Sequence, residues 1–218
     1  MQYFLEHLTE IPYLHFTKTP REIETITNED LVLKCEAIGI PPPIIEWAYN
    51  GKLMYAVDES NDVEKVYNAG LRTIQNGVTA SKIVIPCTST KTVTQYKCLA
   101  NNQHYKLETI TTITNEGSTN CSHKLSSPVI NMWTDGRFER SGATVQLFCR
   151  IHDNLKSNIT WYNEASVKLE NAKKYKIMKN GDLIIHDTVW EDMGVYTCVA
   201  SNEFGEDRIM AFFYPTQP

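Results

Sequence analysis

The sequence contains no Cys-x-x-Cys pair, and no histidine stands beside a cysteine pair at zinc-finger spacing. That excludes the usual structural zinc sites. No segment approaches the ~20 apolar residues that span a bilayer. The longest apolar run near the C-terminus, Ile209 to Tyr214, is strand-sized. There is no His-Glu-x-x-His, no Gly-x-Ser-x-Gly and no phosphate-cradling glycine loop, and the six histidines are scattered. An enzyme is therefore not expected, nor a cofactor. The formal net charge is −5, with the acidic residues spread along the chain. This argues against nucleic acid or an anionic membrane as partner, since both need clustered Lys and Arg. The N-terminus carries Glu6, Glu10 and Pro12 and has no basic n-region, so it is not a secretory leader. The expectation is that a leader has been removed and that Met1 is not native.

What is present is an internal repeat. Cys35 precedes Trp47 by twelve residues, and Cys149 precedes Trp161 by twelve. Tyr96-Lys97-Cys98 matches Tyr196-Thr197-Cys198, and Ile83 and Ile85 stand where Leu183 and Ile185 stand. The spacing fits two packed sheets. A cysteine on strand B faces one on strand F, a Trp on strand C fills the space beside the disulfide, and a Tyr two residues before the second Cys turns its hydroxyl to the E–F corner. Period-2 patterning agrees: Leu31, Leu33 and Cys35 share a face, as do Val145, Leu147 and Cys149, while Ile45 with Trp47 and Ile159 with Trp161 point inward. The fold class is all-β: two tandem immunoglobulin-like β-sandwiches of the I-set type. The expected organisation is an N-terminal arm over 1–20, a first domain over 21–115, a linker over 116–127 and a second domain over 128–216. Cys35–Cys98 and Cys149–Cys198 are the expected inter-sheet disulfides, each worth about 4 kcal/mol by chain entropy, and they imply an oxidising, extracellular setting.

The two repeats are unequal. Asn50-Gly51 follows the first strand C, and Asn76-Gly77 and Asn180-Gly181 precede the two E strands, as hairpin turns with positive φ. The first domain holds 14 more residues between its cysteines, and Glu59 to Glu64 reads as a solvated acidic loop in that excess. The second domain keeps Asp192-Met-Gly194-Val-Tyr196 at its corner. The first has Thr92 and Thr94 instead, so its corner should be looser or differently supported.

Cys87 ends strand E of the first domain, and Cys121 follows its strand G. Both strands finish at one pole, so a Cys87–Cys121 bond is expected to pin the Gly117–Ser122 linker. Two free thiols or an intermolecular bridge are the alternatives. Asn120-Cys-Ser122 and Asn158-Ile-Thr160 are N-glycosylation sequons. If Trp47, Tyr96 and Cys98 point inward, Ala48 and Leu99 point outward, as do Tyr162 and Val199 in the second domain. Trp133 and Phe148 are further candidates for exposed apolar surface. Such residues are either scattered surface apolars or a partner-binding patch. Phe4, Leu8 and Ile11 have helical spacing, so the first residues read as a short amphipathic helix, an arm on the first domain, or a disordered end.

Tyr13-Leu-His-Phe-Thr-Lys-Thr-Pro20, Pro128-Val-Ile130, Asn180-Gly-Asp-Leu-Ile-Ile185, Trp190-Glu-Asp-Met-Gly194 and Phe213-Tyr-Pro215 together resemble the secreted two-immunoglobulin family of invertebrates, which includes the nematode zwei-Ig proteins and an insect imaginal-morphogenesis protein. The resemblance spans nearly the whole chain. It implies a secreted protein that binds insulin-like peptides and antagonises their signalling, with a role in maintaining neuron and axon position. Because the shared strings are mostly core and corner residues, it transfers no peptide-contact residues. The rival expectation, from the fold alone, is an adhesion or guidance module that binds a cell-surface receptor or itself.

Overall fold

The computed structural model describes residues 11–55, 62–121, 127–152 and 157–216. The first domain contains β1 (Tyr13–Lys18), β2 (Ile23–Ile26), β3 (Leu31–Ile40), β4 (Ile44–Tyr49), β5 (Lys52–Leu53), helix α1 (Asp62–Tyr67), β6 (Asn76–Ile85), β7 (Thr92–Asn101) and β8 (Lys106–Asn115). The second contains β9 (Ile130–Arg140), β10 (Val145–Leu147), β11 (Cys149–Ile151), β12 (Asn158–Tyr162), β13 (Tyr175–Ile177), β14 (Leu183–Ile185), β15 (Gly194–Asn202) and β16 (Gly205–Thr216). Each domain is a sandwich closed by an inter-sheet disulfide, Cys35–Cys98 and Cys149–Cys198. Trp47 and Trp161 are buried beside these bonds, and each indole N–H has a partner: Ser81 Oγ and the Gly181 carbonyl, both at 2.8 Å. A buried indole donor left unpaired would cost on the order of 1–3 kcal/mol. Gly181 has φ +98°, and a Cβ there would lie 2.2 Å from the Cys149 carbonyl oxygen, so this turn accepts only glycine.

The sandwiches are not separate. The first layer of domain 1 runs β1-β3-β6, and β6 pairs along its other edge with β9 of domain 2. In turn, β9 pairs antiparallel with β11 and, beyond a register shift at Thr134–Gly136, parallel with β16. The result is one sheet of order β1-β3-β6-β9-β16-β15-β12, with β11 also on β9. The other layers are β2-β8-β7-β4-β5 and β10-β14-β13. A strand edge with unpaired N–H and C=O groups invites pairing, and here the E edge of one domain is closed by the A strand of the next.

This union changes several expectations. Asn76 and Gly77 do not form a turn. They extend β6, paired with Phe138 and Arg137, and the positive φ falls on Gln75 instead. Asn50-Gly51 (φ 45° and 83°) and Gly181 do turn with positive φ. Strand B of domain 2 changes layers between β10 and β11, and the residue at the switch, Phe148, is 1% exposed within the core of domain 1, beside Met132. Phe148 is therefore not surface; the neighbouring domain covers it. The stretch read as arm becomes strand at Tyr13, pairing with β3, while residues 1–10, which carry most of the expected helix, lie outside the described residues.

The expected acidic loop is also revised. Residues 59–61 lie outside the described residues, but Glu64 sits on α1 and is 4% exposed. It pairs with the buried Arg137, which also meets Glu139 Oε2 at 3.0 Å, and it accepts the Gln146 N–H at 2.8 Å. Asn68, just beyond α1, accepts from Thr144 N (2.7 Å) and donates to Thr144 O (2.8 Å). The insertion is thus a clamp across the domain junction. Its partner arginine is 73 positions away, so local composition carried no sign of it.

Cys87 and Cys121 are bonded. The first part of the linker is fixed to domain 1, with Ser118 N–H on Thr88 O (3.0 Å) and Ser118 Oγ on Asn28 Oδ1 (2.7 Å). At the two corners, Tyr196 Oη donates to Asp192 O at 3.0 Å. Tyr96, buried at the equivalent place, instead packs on the Tyr49 ring, centroids 5.2 Å apart.

Candidate functional site

Cross-strand partners share a face of a sheet, so the registers define a surface that runs from one domain to the other. His15, Ile38, Val78, Gly136, Phe212 and Val195 stand in one row across six strands. On β16, Phe213, Ala211 and Ile209 enter the core of domain 2, while Phe212 (40% exposed) and Met210 (64% exposed) face solvent. Beside them, Tyr214 packs between Phe138 (6.0 Å) and Trp190 (5.6 Å). Trp190 and Met193 are themselves exposed. A run of large exposed apolar side chains on a sheet face is the kind of surface that docks an apolar face of a partner. Among the described residues, no group of three or more His, Cys, Asp or Glu is placed to hold a metal ion.

The residues singled out from sequence divide between two surfaces. Tyr162 and Val199 lie on the continuous face: Tyr162 pairs with Thr197, whose other neighbour is Met210. Tyr162 is half-buried, but Val199 is only 7% exposed between its neighbours Thr160 and Arg208. Ala48 and Leu99 lie on the outer sheet of domain 1, lining a groove with Leu53, Glu46 and Leu107. Leu99 is half-buried there, while Ala48 is 4% exposed, flanked by its partners Leu53 and Lys97. Outward parity gives direction, not exposure, and small residues between long neighbours are covered. Trp133 is half-buried against the core of domain 2, with Lys82 Nζ 5.7 Å from its ring centre. Lys82 also pairs with Asp207 at 2.7 Å, tying β6 to β16. Trp133 is thus part of the junction. Asn158 is exposed at the start of β12, on the parity of Thr160 and Tyr162, and Asn120 is exposed beside the Cys87–Cys121 bond.

Sequence reasoning missed Met210 and Phe212. Their signal was available: Ile209–Tyr214 is apolar at every position, which a strand solvated on one face does not need.

Comparison with known proteins agrees with this architecture. Residues 15–102 match an immunoglobulin domain and residues 137–213 an immunoglobulin I-set domain. The molecule is thus a tandem immunoglobulin protein, a class of binding and adhesion modules rather than enzymes. It is 38% identical to the zwei Ig domain protein zig-4 of Caenorhabditis elegans over 191 residues, 87% of this chain and 74% of that one. It is 35% identical to zig-3 of the same nematode over 97% of this chain and 84% of that one. The Drosophila melanogaster neural/ectodermal development factor IMP-L2 is 27% identical over 94% of this chain and 78% of its own length. The crystal structure of IMP-L2 superposes with a TM-score of 0.74 at 24% identity, covering 95% of this chain and 96% of that one. The chain belongs to the zwei Ig domain family.

Proposed function

We propose that the protein is a secreted binder that sequesters an insulin-like peptide and antagonises its signalling, and that it thereby contributes to maintaining neuron and axon position. The observation that carries the reading is the exposed apolar run Met210, Phe212, Trp190 with Tyr214 on a sheet shared by two clamped domains. A peptide hormone with an apolar face finds there a surface that need not be ordered on binding, which lowers the entropic cost of association. The family resemblance supplies the peptide class. Titration calorimetry with a panel of insulin-like peptides tests it. At least one peptide is expected to bind below micromolar Kd, and Phe212→Glu with Met210→Glu should weaken it by about 2 kcal/mol or more, the usual cost of losing an interface anchor. Silence across the panel at micromolar concentration, with capture of a cell-surface receptor instead, rejects the peptide reading in favour of an adhesion module.

A further inference from the structure

The formal charge of −5 hides a local excess of the opposite sign. Residues 168–179 contain five lysines against one acidic residue, Glu170. Lys174 is engaged, with its ammonium on Asp192 Oδ2 at 2.5 Å and on the Asp187 carbonyl at 2.9 Å. The other four, Lys168, Lys173, Lys176 and Lys179, are exposed. No ion pair or side-chain hydrogen bond engages any of them among the described residues.

Their backbone is well fixed. Lys173 lies in a loop closed by Ala172 N–H on Tyr175 O (2.8 Å) and Ile177 N–H on Asn171 Oδ1 (2.7 Å). Lys176 is the outward residue of β13, where Tyr175 and Ile177 pack against the core. Lys179 sits in a turn closed by Gly181 N–H on Met178 O (3.0 Å). Because β13 is the edge of the sheet β10-β14-β13, no further strand pairs with it on that side among the described residues. Only Tyr175–Ile177 of this segment is extended, so Lys176 projects from the strand while Lys173 and Lys179 flank it in the adjoining turns. This groups three point charges at one sheet edge.

We infer that this edge is a binding site for a linear sulfated polysaccharide of the cell surface or matrix. Clustered lysines match a polymer that repeats strong acid groups, and ammonium point charges need no bidentate geometry. Two other polyanions fit less well. Ile177 and Met178 are half-buried, so the edge presents no exposed apolar anchor of the kind that supplements charge at a membrane. Tyr175 is turned to the core, so no aromatic platform is offered to unpaired bases. The basic edge belongs to the layer opposite β12-β15-β16, so polysaccharide and a ligand on the continuous face can be held together. The protein would then act where it is retained rather than diffusing away. This inference does not depend on which ligand the continuous face takes.

Heparin affinity of the whole chain, measured at several salt concentrations, tests it. Retention is expected at physiological ionic strength and not on desulfated heparin. Three contacts, from Lys173, Lys176 and Lys179, give a slope of log K against log salt of about −3, and Lys176→Gln with Lys179→Gln should bring it to about −1. A charge-matched pair on domain 1, Lys52→Gln with Lys91→Gln, should leave the slope unchanged, and both pairs should keep the parent melting temperature. No retention of the parent protein overturns the inference. So do equal losses in the two double variants, or tighter binding to phosphatidylserine vesicles than to heparin at equal salt.

Discussion

At the scale of single residues, the most consequential group is Glu64. Burial pushes its carboxyl up, Arg137 draws it back, Glu139 raises it again, and the Gln146 N–H lowers it, leaving a pKa of about 7 against the ordinary 4.5. An acid raised in the folded state holds its proton more tightly there than in the unfolded chain. Its contribution therefore favours the folded state fully below pH 4.5 and is lost as pH rises through 7. The loss is on the order of 3 kcal/mol if the shift is taken whole. Glu64→Gln should flatten the dependence of unfolding free energy on pH between 4.5 and 7, leaving the variant no less stable than the parent at pH 8. Urea titrations at several pH values measure this, and an unaltered pH profile would show that Glu64 titrates normally. None of this was readable in the string Asp62-Val-Glu64, where an acidic residue in a long insertion carries no mark of its buried arginine. The cysteines were readable, because each disulfide joins positions that the period-2 pattern and the strand order already bring to facing sheets or to one pole.

At the scale of elements, β9 and α1 set the domain arrangement. In β9 a side of the strand is offered to each domain: Met132 joins the core of domain 1, and Trp133 packs against that of domain 2. The helix α1 reaches from the insertion of domain 1 to β10. Just after it, the Asn68 carboxamide satisfies both the N–H and the C=O of Thr144, two buried groups with no ladder partner of their own. Asn68→Ala orphans both and should cost about 2–6 kcal/mol, twice the penalty of a single unsatisfied buried group. The loss is expected in the melting of both domains together, read by calorimetry. A drop confined to domain 1 would mean that the clamp carries no energy between them. The hydrophobic pattern of β9 did not disclose this role. Residues 130–134 are apolar or uncharged on both faces in a way that fits a buried strand, but alternation cannot say which neighbour does the burying.

At the scale of the whole molecule, a shared sheet, a bonded linker and a buried ion cluster make one unit of two sandwiches. Domain 2 expressed alone from residue 128 would uncover Phe148 and Met132, both 1% exposed here, and lose the β6 partner of β9. The whole chain is expected to unfold in one calorimetric transition, with van't Hoff and calorimetric enthalpies equal, while the isolated second domain associates or melts at least ~5 °C lower. Two resolved transitions in the whole chain would argue for independent domains. The same rigidity supports the proposed function, since neither domain has to be oriented when a ligand meets the continuous face.

By itself the sequence determined two sandwiches, their inter-sheet disulfides, their buried tryptophans and the glycine turn at 181. These follow from alternation along a strand and from contacts within one repeat, and both leave a trace at fixed spacing. It was only the tertiary structure that decided how the repeats meet. Pairing of β6 with β9, burial of Phe148 and of Glu64, and the row from His15 to Val195 all join positions far apart in the chain. Such contacts depend on which edge and which face remain free once each sandwich has formed, and no local period encodes that.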